Sequence, residues 1–303
     1  MIFSILFKEN ETMKKILTLV LALLMVFSLA SCSDKQNLTF GKELLTVGSQ
    51  LDALNGLLKG DADIAVIDSV MAGYYMNSTE TFKDYQVLEG VVLAEEQYGI
   101  GAKKGNNALI GKINEAMIAL VATDYATVAA TYGLTSELLV KADTVNPNAS
   151  ATDASWDNVV ASGKLIIGYT EFAPIAYHEG DGEDAQFIGF DIDLAKAVVN
   201  YLNTTYNANV TIEFELIDWN QKEALLENGT IDLVWNGMTI TEERSANMAM
   251  SVPYLANKQV AIVKKSEAAN YGTTKDELIA KATNAIVIVE KGSAGEEIVC
   301  PVE

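Results

Sequence analysis

Short apolar runs alternate with helical periodicity near the start of the chain. Leu44–Val47 is a short apolar run, Leu51–Leu58 has helical spacing and stops at Gly60, and Ile64–Ile67 is a continuous apolar run. Continuous runs of this length are typical of strands buried in a parallel sheet. The pattern predicts strand, helix and strand, with Asp68 at the carboxyl end of the second strand.

The same order of elements returns later in the chain. A helical stretch over Glu223–Glu227 leads to Gly229, and the apolar run Ile231–Trp235 follows, with Asn236 and Gly237 at its end. Helices that alternate with buried strands predict an α/β fold. Ligands of open α/β sheets bind outside the carboxyl ends of the strands, so Asp68, Asn236 and Gly237 are candidate cleft residues.

Two further predicted strands end in polar or glycine-rich segments. Residues 165–168 lead to Tyr169 and the segment 170–174, and residues 285–289 lead to a glycine turn at 292–295. A glycine turn that opens a helix exposes backbone N–H groups and can bind an anion.

The remaining segments suggest how two lobes are connected. Asn107–Thr131 has helical periodicity that breaks near Thr123, and Val140–Ser155 has the composition of a linker. Tyr98–Lys103 and Lys258–Lys264 read as short strands between larger blocks. We expect these two strands to cross between the lobes.

Composition narrows the range of functions. The chain has 303 residues, enough for two domains, and half of them are hydrophobic. A formal net charge of −20 argues against nucleic acid and against an anionic membrane surface as partners. Arg244 is the only arginine. Its planar fork suits a bidentate carboxylate better than a lysine ammonium does, so a carboxylate ligand is a reasonable first hypothesis.

The first 32 residues have the features of an export signal. Two lysines precede fifteen uncharged residues, Ile16–Ala30, and Leu29-Ala30-Ser31-Cys32 follows. Such a helix would measure about 22 Å, less than the bilayer core of about 30 Å. The last four residues resemble the lipobox of bacterial lipoproteins. We therefore expect lipidation at Cys32, a mature chain from Ser33 that is tethered outside the cytoplasm, and either Met1 or Met13 as the initiator.

Several motifs resemble bacterial polar-amino-acid substrate-binding proteins, the receptors of ABC importers. Residues 156–303 resemble the first part of this family and residues 40–135 resemble its last part. The resemblance covers nearly the whole mature chain and is carried by Gly163–Pro174, Gly189–Lys196, Ile217–Asn220, Asn236–Arg244, Ser251–Tyr254, Lys291–Glu296, Leu57–Asp68 and Tyr98–Gly105.

The order of the two parts is reversed relative to the family. The resemblance implies a two-lobe, type II periplasmic-binding-protein-like fold in which residues 33–92 and 259–303 form lobe 2. Residues 97–139 and 156–256 form lobe 1, and residues 140–155 are the linker between the old chain ends. A circular permutation explains this order. A truncated fusion of two adjacent receptor genes is the competing explanation.

The resemblance also implies a ligand site. Arg244, with Thr239 and the Ala294 N–H beside Ser293, would bind the carboxylate of an α-amino acid. Asp68 and the Gly237 carbonyl would bind its ammonium group. Other family positions would contact the ligand side chain: Phe172, Trp219, Asn236, Glu171 and Tyr177.

Packing alternatives stay open for several of these residues. Asp68 could cap a helix, and Trp219, Phe172 and Tyr177 could belong to the core. The family's receptors for basic amino acids often have an acid where Tyr169 stands, which weakens lysine or arginine as ligand, although Glu171 could substitute. Glu290 stands where glutamine receptors often have a lysine, which weakens glutamine.

The implied function is a lipid-anchored receptor that delivers a polar amino acid to an ABC importer permease. No cofactor or metal motif is present in the sequence, and no nucleophile–base pair stands out, so we expect a binding protein and not an enzyme. Three alternatives stay open: a remnant that does not bind, a fusion that works by exchanging lobes in a dimer, and an enzyme on the same fold.

Overall fold

The computed structural model describes residues 37–180, 182 and 185–301, so the predicted signal and lipid anchor lie outside the described residues. Leu38–Glu303 make up one compact unit of mixed α/β structure. The strands are β1 (Glu43–Val47), β2 (Ile64–Asp68), β3 (Tyr85–Val87), β4 (Ala94–Lys103), β5 (Lys164–Tyr169), β6 (Tyr177–Glu179), β7 (Gln186–Ile188), β8 (Thr211–Leu216), β9 (Leu233–Thr239), β10 (Met248–Met250), β11 (Leu255–Lys264) and β12 (Ile286–Glu290).

The helices follow the predicted periodicity closely. They are α1 (Gln50–Lys59), α2 (Ser69–Ser78), α3 (Asn107–Ala119), α4 (Asp124–Thr131), α5 (Ser155–Ser162), α6 (Phe190–Tyr206), α7 (Lys222–Asn228), α8 (Glu242–Asn247), α9 (Lys275–Lys281) and α10 (Ala294–Val299). Gly60 and Gly229 take the left-handed conformation that ends α1 and α7, as the sequence predicts. The expected break in the helical stretch 107–131 lies between α3 and α4.

The main sheet has the strand order β1-β12-β2-β11-β4-β9-β5-β8, with β3 paired to β11 and β10 paired to β4. Strands β11 and β4 lie side by side at its centre, and both are antiparallel to their neighbours. We call β1, β12, β2 and β3 with α1, α2, α9 and α10 the first sheet half. The second sheet half comprises β9, β5, β8 and β10 with α3–α8.

Three predicted strand boundaries were wrong. The predicted crossing strands begin earlier than expected, since β4 starts at Ala94 and β11 at Leu255. Strand β9 ends at Thr239, so Asn236 and Gly237 lie inside it and not at its end. The reason is continued backbone pairing with β4, which extends to the Thr239–Tyr98 pair across a register shift.

The first and last described segments lie against each other. Thr39 donates its N–H to the Val299 carbonyl and its hydroxyl to the Ile298 carbonyl, each over 2.8 Å. Strand β1 then pairs in parallel with β12. Residues from the two ends of the described chain therefore complete one edge of the sheet together.

Residues 140–154, predicted as a linker, contain no helix or strand but pack against α3. The Asn146 side chain donates to the Gly111 carbonyl over 2.8 Å and accepts from Asn114 over 3.2 Å. A Cβ on Gly111 would lie 2.4 Å from the Asn148 carbonyl oxygen. Only glycine at this helical position allows so close an approach.

Substitution of Gly111 therefore tests the packing of this segment. We expect Gly111→Ala to lower the free energy of unfolding by about 1–3 kcal/mol, because the added methyl group forces the segment away from α3. Gly73→Ala in α2 is the matched control, since a Cβ there meets nothing within 4 Å. Urea denaturation of both variants is the measurement, and equal effects at the two glycines would contradict this packing.

Candidate functional site

One cavity between the two sheet halves contains most of the predicted site residues. Its lining comes from the ends of β2, β9 and β12 and from the segments that follow β5 and β8. The lining residues are Gln50, Asp68, Thr170, Phe172, Trp219, Asn236, Gly237, Thr239, Arg244, Glu290, Ser293 and Ala294. Glu171 and Tyr177 are the predicted site residues that do not line it.

Asp68 is surrounded by side-chain amides. Gln50, Asn257 and Gln259 each donate an N–H to its carboxylate, the last over 2.9 Å. Asp68 occupies the N-cap position of α2 but makes no side-chain cap hydrogen bond, so helix capping does not explain it. Its carboxylate instead forms part of the cavity wall.

Glu96 on β4 is a second acid joined to Asp68 through shared donors. Asn257 and Gln259 also donate to Glu96 Oε2, over 2.9 and 3.1 Å, and the Thr239 hydroxyl donates to the same oxygen over 2.9 Å. Sequence analysis did not identify Glu96, because it lies within a strand and matches no strand-end signal. The two acids are held close together at the central strands.

Burial raises the pKa of the acids in this cluster. It raises the pKa of Asp68 to about 7, with the negative charge of Glu96 as the second cause. Burial also raises the pKa of Glu96 above its usual range. Glu290 reaches a pKa of about 8 through burial and the charge of Asp68. Hydrogen bonds from side-chain amides lower the pKa of these acids, but by less than burial raises it.

These shifts predict a pH dependence of stability. Between about pH 4 and pH 8 the folded protein holds protons on these acids that the unfolded chain releases, so the free energy of unfolding falls as pH rises. We expect the melting temperature at pH 8 to lie at least about 2 °C below that at pH 5.5.

Scanning calorimetry at pH 5.5 and pH 8 measures this difference in melting temperature. Glu290→Gln should reduce the difference, because it removes one of the acids with a raised pKa. A melting temperature that rises over this interval in both proteins would refute the account.

Arg244 is buried and its fork contacts both sheet halves. Thr241 caps the first turn of α8 and orients the side chain inward. Nη1 donates to the Thr239 carbonyl over 2.8 Å, and Nη2 donates to the Gly292 carbonyl over 3.1 Å. Nη2 also lies 3.5 Å from Glu297 Oε1. The guanidinium thus lines the cavity as predicted, but carbonyl groups already accept its hydrogen bonds in this conformation.

Lys222 is a second buried cation that sequence analysis missed. Its Nζ donates to the carbonyls of Trp219 and Gly292, over 3.3 and 3.1 Å, and lies 4.9 Å from the centre of the Trp219 ring. Burial and the nearby Arg244 charge lower its pKa to about 8. A lysine in the first turn of a short helix usually faces solvent, so the sequence offered no signal for this role.

Gly237 and Phe172 have a close steric fit. Gly237 has φ of +59°, and a Cβ there would lie 2.7 Å from the Phe172 ring and 3.1 Å from the Tyr98 ring. Phe172 and Trp219 are both almost fully buried while they line the cavity. Their packing and cavity-lining roles therefore coexist.

Several predicted polar residues bond within the protein. The Asn236 side-chain amide lies 2.8 Å from the Thr170 hydroxyl. Ser293 caps α10 by accepting from the Glu296 N–H over 3.2 Å. Each contact fixes a side chain of the cavity wall, and Ala294 follows directly in the first turn of α10.

Glu171 and Tyr177 lie outside the cavity. Glu171 lies 2.5 Å from His178 Nδ1 and accepts from the His178 N–H over 3.1 Å. The Tyr177 ring packs at 5.6 Å from the Tyr74 ring of α2. The expectation that these residues read a ligand side chain does not fit this conformation, because their contacts hold them at the surface.

The cleft is tightly closed in this conformation. The space between the lining groups is about 20 Å³, enough for a water molecule and too small for an amino acid. Arg244 and Lys222 from the second sheet half both donate to the Gly292 carbonyl of the first half. Entry of a larger molecule therefore requires the halves to separate and these hydrogen bonds to break.

Residues 165–298 match the family of bacterial extracellular solute-binding proteins, family 3. This segment is similar to that family. It includes β5–β12 and the residues from Thr170 to Ala294 that line the cavity, while Gln50 and Asp68 lie outside the matched segment. The match covers less than half of the chain.

Named relatives of this family 3 segment bind amino acids. The chain is 36% identical over 105 residues to the arginine-binding extracellular protein ArtP of Bacillus subtilis. The aligned region covers 34% of this chain and 37% of the relative. It is 33% identical over 102 residues to a probable histidine-binding protein of Neisseria gonorrhoeae, with 34% and 35% coverage. The chain therefore spans just over a third of the length of these relatives.

Two further similarities concern a solved structure and an enzyme. A polar amino acid ABC uptake transporter substrate-binding protein from Streptococcus thermophilus is 38% identical, with coverage of 34% of this chain and 36% of that chain and a TM-score of 0.26. Cyclohexadienyl dehydratase of Pseudomonas aeruginosa is 25% identical over 124 residues, with 41% and 43% coverage. The family 3 segment thus resembles binding proteins and, more distantly, an enzyme.

The described residues contain neither a cluster of metal-binding side chains nor a helix that could cross a membrane. In residues 37–180, 182 and 185–301, no group of three or more potential metal-binding side chains comes together. Within the same ranges, none of the helices combines the length and the apolar character that a membrane crossing needs.

Proposed function

We propose that this protein binds a polar α-amino acid between its two sheet halves and delivers it to an ABC importer. One observation carries the proposal: Arg244 from the second half and Asp68 from the first half line the same cavity. A guanidinium and a carboxylate facing one space complement the carboxylate and ammonium groups of an α-amino acid. Two groups of opposite charge on different halves also explain why closure would depend on the ligand.

Ligand entry would begin with separation of the two halves. The halves would turn about the crossing strands β4 and β11, which pair with each other and with both halves. The ligand carboxylate would then replace the Gly292 carbonyl at Arg244 Nη2. The ammonium group would replace amide donors at Asp68, and the halves would close around the ligand.

A circular permutation is the origin that we favour for the reversed order. The contact between Thr39 and Ile298–Val299 and the pairing of β1 with β12 support it, because residues far apart in the sequence then build the same sheet half of one chain. The ordered packing of residues 140–154 on α3 supports their role as the segment that joins the old ends. Under this proposal one chain supplies both halves of the cleft, without exchange between two copies.

Anchoring at Cys32 completes the proposed function. Residues 1–32 would direct export and Cys32 would hold the mature chain at the outer face of the cell membrane, near the importer permease. We propose binding and not catalysis. Arg244 and Asp68 in the cavity are suited to hold charged groups of a ligand, and the single histidine, His178, contacts Glu171 outside the cavity.

A thermal-shift screen of the proteinogenic amino acids tests the function. A ligand that binds only the folded protein raises its melting temperature, by an amount equivalent to about 2.7 kcal/mol at a concentration one hundred times its Kd. We expect a clear rise for one amino acid or a small related group. No rise for any amino acid, in a sample that melts cooperatively, would refute the proposal.

A further inference from the structure

Glu290 is the most unusual group in the cavity. It ends strand β12, lines the cavity and is only 5% exposed, yet its Oε1 atom has no hydrogen-bond partner. A buried carboxylate oxygen without a partner costs free energy, which a suitable ligand group could recover. Strand β12 keeps its backbone in place, so the carboxylate has a fixed position in the wall.

The charged neighbours of Glu290 do not neutralise it. The charge of Asp68 on β2 raises the pKa of Glu290 further, whereas the uncharged side chain of Gln50 on α1 lowers it as a hydrogen-bond donor. The positive charges of Lys222 on α7 and Arg244 on α8 lower the pKa of Glu290, but both side chains donate their hydrogen bonds to carbonyl groups. In the described part of the chain, no salt bridge joins Glu290 to a base.

Acids and bases both occur in the cleft. Asp68 and Glu290 are buried acids, Arg244 and Lys222 are buried bases, and Glu96 is a partly buried acid. The salt bridge that these groups make among the described residues joins Arg244 to Glu297, so no base pairs directly with Glu290. A cationic group of the ligand beside Glu290 would therefore supply the ionic partner that Glu290 lacks in a site closed to water.

We propose that the bound amino acid carries a second positive charge on its side chain and that Glu290 binds that charge. This inference rests on the proposed function, because it assumes that Arg244 and Asp68 bind the α-carboxylate and the α-ammonium group. Glu171, considered first as the acid for a basic side chain, is excluded from this role by its bonds to His178 and its place outside the cavity.

Pairs of ligands in which one member has a cationic side chain and the other a neutral side chain of similar shape provide the test. L-arginine is compared with L-citrulline, and L-lysine with L-norleucine, by isothermal titration calorimetry on the wild-type protein at pH 7. We expect the charged member of a pair to bind at least about tenfold more tightly, equivalent to about 1.4 kcal/mol. Equal affinities, or a preference for the neutral member, would overturn the inference while leaving the proposed function intact.

Glu290→Gln tests whether Glu290 carries the preference. This variant keeps the shape of the side chain, and we expect it to reduce the preference for the charged member of each pair to less than about threefold. Glu171→Gln is the matched control and should leave the preference unchanged. A full preference in Glu290→Gln, or its loss in Glu171→Gln, would contradict the assignment.

Proton release gives an independent measurement. A cation beside Glu290 favours its ionised form, so arginine binding near pH 7 should release protons, whereas citrulline should release fewer. Titrations in two buffers with different ionisation enthalpies measure this number, and it should fall in Glu290→Gln. Equal proton release with arginine and citrulline would overturn the inference. Failure of every amino acid to bind would refute the proposed function itself.

Discussion

Replacing Arg244 with alanine is expected to weaken amino-acid binding by at least about 30-fold. Loss of one partner from a buried charge pair typically costs about 2–5 kcal/mol, and 2 kcal/mol corresponds to this factor. Arg244 is suited to the role because the Thr239 carbonyl holds Nη1 in place, and Nη2 becomes available to the ligand carboxylate when its hydrogen bond to the Gly292 carbonyl breaks. Titration calorimetry of the variant against the best ligand of the wild-type protein is the measurement.

Arg244→Lys separates charge from geometry. It keeps the positive charge but loses the planar fork, so we expect an intermediate loss of affinity. Lys103→Ala is a surface control, since Lys103 bonds Glu227 at the edge of the second sheet half, outside the cavity. If Arg244→Ala folds cooperatively and retains wild-type affinity, Arg244 does not bind the ligand.

Asp68→Asn is the second substitution with a large expected effect. Removal of the carboxylate charge should weaken binding by at least about tenfold, because the ligand ammonium would lose its ionic partner. The mutated amide would also face the donors of Asn257 and Gln259, which favour an acceptor at this position. Both effects act in the same direction on binding.

Asp63→Asn is the matched control for Asp68→Asn. Asp63 precedes the same strand, and its carboxylate accepts from the Ile286 N–H over 2.8 Å, away from the cavity. Calorimetric titration of both variants should show a loss confined to Asp68→Asn. Similar losses in the two proteins would indicate a general effect on the first sheet half and not a contact with the ligand.

Part of the fold could be predicted from the sequence, where local signals agree with the tertiary structure. Ile64–Asp68 is buried along its whole length, as a continuous apolar run predicts, and the helix-ending glycines 60 and 229 take the left-handed conformation. The end of β9 could not be predicted, because pairing between Thr239 and Tyr98 depends on a strand far away in the sequence.

Site residues could be predicted from a position at or after a predicted strand end, as for Asp68, Phe172 and Ser293, and Arg244 stands out as the single arginine. Asn236 and Gly237 also line the cavity, although the strand that carries them continues beyond its predicted end. Glu96 and Lys222 carry no such signal, because their burial results from tertiary contacts. Glu171 was predicted from its family position to contact the ligand side chain. In this conformation its carboxylate contacts His178 outside the cavity.

The hydrogen bonds that hold the cleft closed without ligand reduce the affinity that can be measured for a ligand. The Gly292 carbonyl accepts from Arg244 and Lys222 at once, so two hydrogen bonds across the cleft hold the halves together. A ligand must recover at least the free energy of the contacts that it displaces. The measured affinity will therefore be lower than the sum of its contacts suggests.

The central claim is that one chain, in this reversed order, forms one complete amino-acid cleft. The most direct test is calorimetric titration of purified protein whose monomeric state is established by light scattering. The account predicts one ligand per monomer, with no change in mass on binding. Binding that occurs only in a dimer, or no binding by any amino acid to a folded monomer, would contradict it.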